Sequence, residues 1–163
     1  MTKIIYTIIV ENTRSAQNIG AIFRSADAFA CDSIILTGIS ATPPHKDILK
    51  TALGATLSVN WQYLNNIKDA IELLRTNGYR IIAIEQTPGA TLLQEVNFGN
   101  YPKQAFIVGN EVEGISHEAI SLCDEVIEIP QAGVKKSINV AIAASIVMWS
   151  CFKHNLSSTK QPV

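Results

Sequence analysis

Three polar clusters, each following directly on an apolar run, hold the side chains best suited to chemistry. The first runs from Glu11 to Arg24, the second from Gly109 to Ser116 and the third from Ile129 to Asn139. Among them are Arg24, Glu111, two amides at Asn18 and Asn139, and the Ser137 hydroxyl. Groups of these kinds stabilise developing charge, relay a proton and orient a polar substrate. Singly, each also has a structural account: Asn18 bridges a turn, Arg24 is a solvated helix arginine, Glu111 joins a loop network, and Ser137 and Asn139 start a helix. The second cluster offers backbone amides near Gly109 and Gly114, as many phosphate-binding turns do. Neither G-x-G-x-x-G nor G-K-[ST] occurs, which argues against a dinucleotide-binding dehydrogenase or a P-loop NTPase.

The elements that position these clusters can be read from periodicity. Lys3 to Val10 is rich in β-branched residues and predicts a buried strand. Ser15 to Phe29 places Ile19, Ile22, Phe23 and Ala26 at helical spacing, with Asn12, Thr13 and Ser15 as candidate caps. A short strand at Ser33 to Leu36, a proline-bearing loop at Gly38 to Pro44 and a short helix at Ile48 to Leu53 follow. Leu57 to Tyr63 alternates as a strand does. Ile67, Ala70, Ile71 and Leu74 form a helical stripe, and Gly78 sits where a left-handed C-terminal cap belongs. Strands are expected again at Arg80 to Ile84, Ala105 to Val108 and Glu125 to Ile129, with a helix over Ser116 to Leu122. The last helix, Asn139 to Lys153, is apolar around most of its first half, which suits either a fully internal helix or a subunit interface. Strands alternating with helices imply an α/β fold, a mainly parallel sheet with helices on both faces. In such sheets ligands bind at the carboxyl edge, where all three clusters fall.

Size and composition narrow the classes. The chain has 163 residues, 47% hydrophobic and 17% charged, with a formal net charge of −1. That length suits one domain, expected over residues 1–156 with 157–163 as a tail. The near-neutral total leaves nucleic-acid binding to a local basic patch rather than a global field. Arg14, Arg24, His45, Lys46, Lys50, Lys135 and Lys136, all in or near the clusters, are its candidates. Cys31, Cys123 and Cys151 form no C-x-x-C pair and read as free thiols of a reducing, cytoplasmic compartment, with no metal site expected. The apolar start is broken by threonine and ended by Glu11, so it reads as a strand rather than a signal peptide, and no membrane segment is expected.

Taken in order, the clusters closely resemble the SpoU (TrmH-like) branch of the SPOUT RNA methyltransferases. The resemblance rests on NIGAIFRSADAF from Asn18, FIVGNEVEGIS from Phe106, and Ile129-Pro130 followed by SINVA from Ser137. It spans nearly the whole chain. Ala30 stands where the family usually has glycine after its first motif, and Ile138 where leucine is usual. The resemblance implies a C-terminal trefoil knot, which periodicity could not reveal and which general topology rules disfavour. It implies that S-adenosylmethionine binds against Thr87, Gly109, Ile129, Ser137 and Ile138. It also implies methyl transfer to a ribose 2′-hydroxyl of tRNA or rRNA by a homodimer, with no metal. Arg24 is then the residue at the hydroxyl, and Asn18, Glu111, Ser137 and Asn139 arrange the site. The chain shows no separate RNA-reading module, so substrate choice would fall to this domain, its partner subunit or another protein. A noncatalytic RNA-binding or assembly protein on the same scaffold and an unrelated nucleotide-binding α/β enzyme are the alternatives.

Overall fold

Seven strands lie in one sheet in the order β3-β2-β1-β6-β4-β7-β5, every neighbouring pair parallel. The structure is a computed structural model and describes residues 2–159. The strands are β1 (Ile5–Glu11), β2 (Ser33–Thr37), β3 (Asn60–Leu64), β4 (Arg80–Ile84), β5 (Thr91–Leu92), β6 (Lys103–Val108) and β7 (Glu125–Glu128). The helices are α1 (Ala16–Ala28), α2 (Lys46–Ala52), α3 (Ala55–Ser58), α4 (Ile67–Thr76), α5 (His117–Leu122) and α6 (Val140–Thr159).

Strand periodicity divides the core into two layers. Tyr6, Ile8 and Val10 of β1 join Ile34 and Leu36 of β2, Ile82 and Ile84 of β4, and Phe106 and Val108 of β6 on the face covered by α1, α2, α3 and α6. Their alternates, Ile9, Ile35, Ile81, Ala83, Ala105 and Ile107, pack under α4 and α5. A strand buried on both sides must be apolar throughout, which is why β1 reads as a near-continuous hydrophobic run. Each such isoleucine contributes about 1.5–3 kcal/mol by its burial.

The helices obey local rules. Ser15 caps α1 by accepting from the Asn18 N–H at 3.2 Å, and the stripe Ile19, Ile22, Phe23 and Ala26 is fully buried. Beyond α1, Ala30 takes a φ of 54°, a left-handed conformation in which the missing glycine would be relaxed. Asn66 caps α4 through the Asp69 N–H at 2.9 Å, and Gly78 ends it at a φ of 84°. Gly20 lets α2 press on α1: a Cβ there would lie 2.5 Å from the Ile48 carbonyl oxygen.

Three expectations are corrected. Leu57 and Ser58 belong to α3, not to a strand, because Gly54 at a φ of 89° starts a helical turn that ends at Val59. β5 and two single 3-10 turns, Leu93–Glu95 and Phe98–Asn100, fill a stretch for which no element was expected. Finally, α6 runs on through Ser157, Ser158 and Thr159, the hydroxyls of Ser157 and Ser158 donating back to the Lys153 and His154 carbonyls. Residues 160–163 of the expected tail lie outside the described residues.

Candidate active site

Strands β1, β6, β4 and β7 are neighbours, so the loops that follow them meet at one carboxyl edge. Loop 12–15 leads into α1, loop 109–116 into α5, and the segment 129–139 into α6; the loop after β4 begins at Glu85. Between the last three and β4 opens a cavity of about 480 Å³. Ile84, Val108, Ile129, Ile138, Val140 and Ala143 supply apolar wall, and Glu85, Gln86, Glu111, Lys136, Ser137 and Asn139 supply polar rim.

Asn18, in the first turn of α1, joins two of these loops. Its amide nitrogen donates to Glu111 Oε1 at 3.5 Å, and its amide oxygen accepts from Asn139 Nδ2 at 3.0 Å. Asn139 Oδ1 accepts from the N–H groups of Ala141 and Ile142 at 2.8 and 3.3 Å, capping α6. Both amides therefore use oxygen and nitrogen ends, which fixes their orientation. Three of the five residues expected for catalysis come together in this way.

The loop after β6 is a tight hairpin. Asn110 and Gly114 exchange two backbone hydrogen bonds of 3.0 Å, and a Cβ on Gly109 would lie 2.4 Å from the Gly114 carbonyl carbon. Only glycine at 109 permits that approach. Asn110 Oδ1 accepts from the Val112 and Glu113 N–H groups, and its Nδ2 donates to the Asn12 carbonyl at 2.7 Å. Thr13 Oγ1 donates to the Gly109 carbonyl at 3.3 Å, tying the loop after β1 to the same hairpin.

Of the expected cofactor residues, Gly109, Ile129, Ser137 and Ile138 line the cavity. Thr87 does not; its carbonyl accepts from the Ala90 N–H in a turn, and the residues of this loop that line the cavity are Glu85 and Gln86. Both were readable: they are the first polar residues after the apolar strand β4, the pattern that marked the other clusters. Ser137 makes no hydrogen bond among the described residues. Arg24 is exposed on α1, its side chain makes no ion pair or hydrogen bond among the described residues, and it does not line the cavity. The seven basic residues singled out from the sequence are all exposed. Among the described residues no cluster of three or more metal-ligating side chains occurs, and no helix is long and apolar enough to cross a membrane. Burial pushes the Cys31 and Cys123 thiols up to about 12 and raises Cys151 as well, so all three are neutral.

Beside the cavity, α1 and α6 form a shallow groove. Ser25 and Ser145 hydroxyls bond across it at 2.7 Å. Ala21, Phe29, Ile142, Ile146 and Trp149 line it, with Asn18 and Asn139 also on its wall. Ile142 is 54% and Trp149 46% exposed.

A model of the SpoU rRNA Methylase family matches residues 6–149, a span that contains all three polar clusters. The chain belongs to that family. This SpoU chain is 28% identical to a tRNA (guanosine(18)-2′-O)-methyltransferase of Borreliella burgdorferi, over 88% of its own length and 64% of the relative's. The solved AdoMet-bound rRNA methyltransferase of Sinorhizobium meliloti superposes with a TM-score of 0.85 at 26% identity, covering 92% of this chain and 56% of that one. A structure concerned with 2-OH methylation of C/U34 on tRNA shares the fold, with a TM-score of 0.83 at 19% identity, over 94% of this chain and 97% of that one. The SpoU chain spans about half to two thirds of the length of the curated relatives it matches first.

Proposed function

We propose that this chain transfers a methyl group from S-adenosylmethionine to a ribose 2′-hydroxyl of tRNA or rRNA, as a cytoplasmic homodimer. The observation that carries the reading is the linkage of Glu111, Asn18 and Asn139 beside the 480 Å³ cavity. The cavity fits the cofactor in size and chemistry: pockets of about 300–1,000 Å³ with apolar walls and a few fixed polar groups hold molecules of that class. Glu85, Glu111 and Glu113 give it an acidic side suited to a cationic sulfonium and ammonium.

When bound, S-adenosylmethionine supplies the electrophilic methyl. The chain's residues do the rest. Ile84, Val108, Ile129 and Ile138 exclude water, while Gly109 and Ser137 present polar edges. Asn18 holds Glu111 Oε1, leaving Oε2 to accept a hydrogen bond from the ribose hydroxyl, orient its oxygen and take its proton as the methyl is transferred. Arg24 keeps its own proton, because a guanidinium yields it with great difficulty, and it stabilises alkoxide or phosphate charge instead. Lys135, Lys136, Lys46, Lys50 and Arg14 contact the RNA backbone.

The groove between α1 and α6 supports the dimer. A second copy covers Ile142 and Trp149; Arg24, outside its own cavity, is exposed on α1 next to Ser25, which bonds Ser145 across that groove. The trefoil knot belongs to the same proposal; it is supported by β6 inserting between β1 and β4 and by α6 returning to pack on α1.

Transfer of tritium from labelled S-adenosylmethionine to tRNA and to rRNA tests the reading. Label in one pool, mapped to a 2′-O-methyl nucleotide and lost in Arg24→Ala, is expected. Cofactor binding with no label in either pool would move the protein to a noncatalytic RNA-binding role.

A further inference from the structure

The hairpin after β6 is gripped from both sides by carboxylates, Glu11 away from the cavity and Glu85 at its rim. Strand β6 lies between β1 and β4, and each flanking strand delivers a glutamate at its carboxyl end: Glu11 is the last residue of β1, and Glu85 follows β4. Glu11 is 3% exposed; its Oε2 accepts from the Ser116 N–H at 2.9 Å and its Oε1 from the Ser116 hydroxyl at 2.5 Å. Glu85 Oε2 accepts from the neighbouring Ile115 N–H at 3.1 Å, and its Oε1 from the Gln86 N–H at 3.1 Å. Two consecutive amides, 115 and 116, are thus held by carboxylates from opposite strands. Gly114 fits the same device: its φ is 71°, and a Cβ there would lie 2.5 Å from Glu85 Oε2.

We infer that Glu11 and Glu85 are positioning residues, a clamp that fixes the 109–116 hairpin over the cavity so that Glu111 meets Asn18 and the Gly109 backbone faces the cofactor. The inference rests on the methyltransferase reading for its consequence but not for its geometry. Both oxygens of Glu85 accept from N–H donors, and a glutamine can serve only one while turning an amide N–H₂ toward the other. Substitution at 85 therefore loosens the hairpin without removing core volume, whereas substitution at buried Glu11 endangers the fold.

The test compares wild type with Glu85→Gln, using amide hydrogen exchange of residues 109–116 in the cofactor-free protein and calorimetric titration with S-adenosylmethionine. The expected result is about tenfold faster exchange at Ile115 and about tenfold weaker cofactor binding, the effect of one unsatisfied donor. RNA binding measured without cofactor stays at the wild-type level, a split that general destabilisation would not produce. Exchange within twofold of wild type would overturn the clamp whatever the cofactor affinity, because Glu85 also lines the cavity and loss of its charge weakens binding by itself. Faster exchange in a protein that binds no S-adenosylmethionine would uphold the clamp and overturn the methyltransferase reading instead.

Discussion

Two walls of the same cavity are built in opposite ways. The hairpin 109–116 is closed by backbone hydrogen bonds, by Asn110, and by carboxylates on both sides. The segment after β7 is the reverse: among the described residues, Gln131 to Ile138 make no hydrogen bond, Val134 is 97% exposed, and Lys135 and Lys136 are exposed. It regains order only where Asn139 caps α6. One wall is tied by hydrogen bonds on both sides, and the other is held only at its end, by Asn139. Catalysis by pre-positioned groups needs the first; admission of a cofactor and a bulky RNA needs the second.

The largest effect should come from breaking the fixed wall. Ser116→Ala removes the cap of α5 and strips the buried Glu11 of its hydroxyl partner, and it should cost about 1–3 kcal/mol in denaturant unfolding. Gly114→Ala forces a side chain into a left-handed backbone and against Glu85; about 1–2 kcal/mol of destabilisation and a matching loss of S-adenosylmethionine affinity are expected by melting and calorimetry. The open wall should answer differently. Trypsin should cut first after Lys135 or Lys136, and saturating cofactor should slow that cut about tenfold; equal protection of both walls without cofactor would erase the contrast. Lys135→Ala with Lys136→Ala should leave stability within about 0.5 kcal/mol and lower the salt dependence of RNA binding, read from filter binding at several salt concentrations. Remote from both walls, Ala30→Gly should stabilise by about 0.5–1 kcal/mol by relieving its left-handed φ.

Much of this was legible in the chain. The apolar runs located β1, β2, β4, β6 and β7; the stripe of α4 matched its buried residues one for one, and that of α1 named four of them, leaving out the small Ala16 and Gly20. Ser15, one of three candidate caps, could be separated from Asn12 and Thr13 only by structure: Asn12 turns to bond the Ile39 N–H, and Thr13 reaches Gly109. Leu57 misled because its alternation with Val59 and Trp61 continues a helical turn into β3 without a break. β5, with two residues, is too short for any period to show. Sequence order does not give strand order, so periodicity could not foretell that the loops after β1, β6, β4 and β7 would be neighbours. The separation of Arg24 from Asn18 did have a signal: six residues apart on α1, they point about 120° apart around the helix. The resemblance supplied the site as a set of names; geometry divided that set into Asn18, Glu111 and Asn139, already linked, Ser137 and the other residues that line the cavity, and Arg24 and Thr87, which do not.

Asn18 closes its contacts only when Asn139 is in place, and Asn139 is in place only when α6 has formed and docked. The fold thus contains its own completion signal. A chain that stops at residue 138 carries the residues of α1 and of the hairpin, yet one member of the linked trio is missing. The trio is closed by the residue that caps the last helix, from the opposite end of the sequence to the helix that holds Asn18.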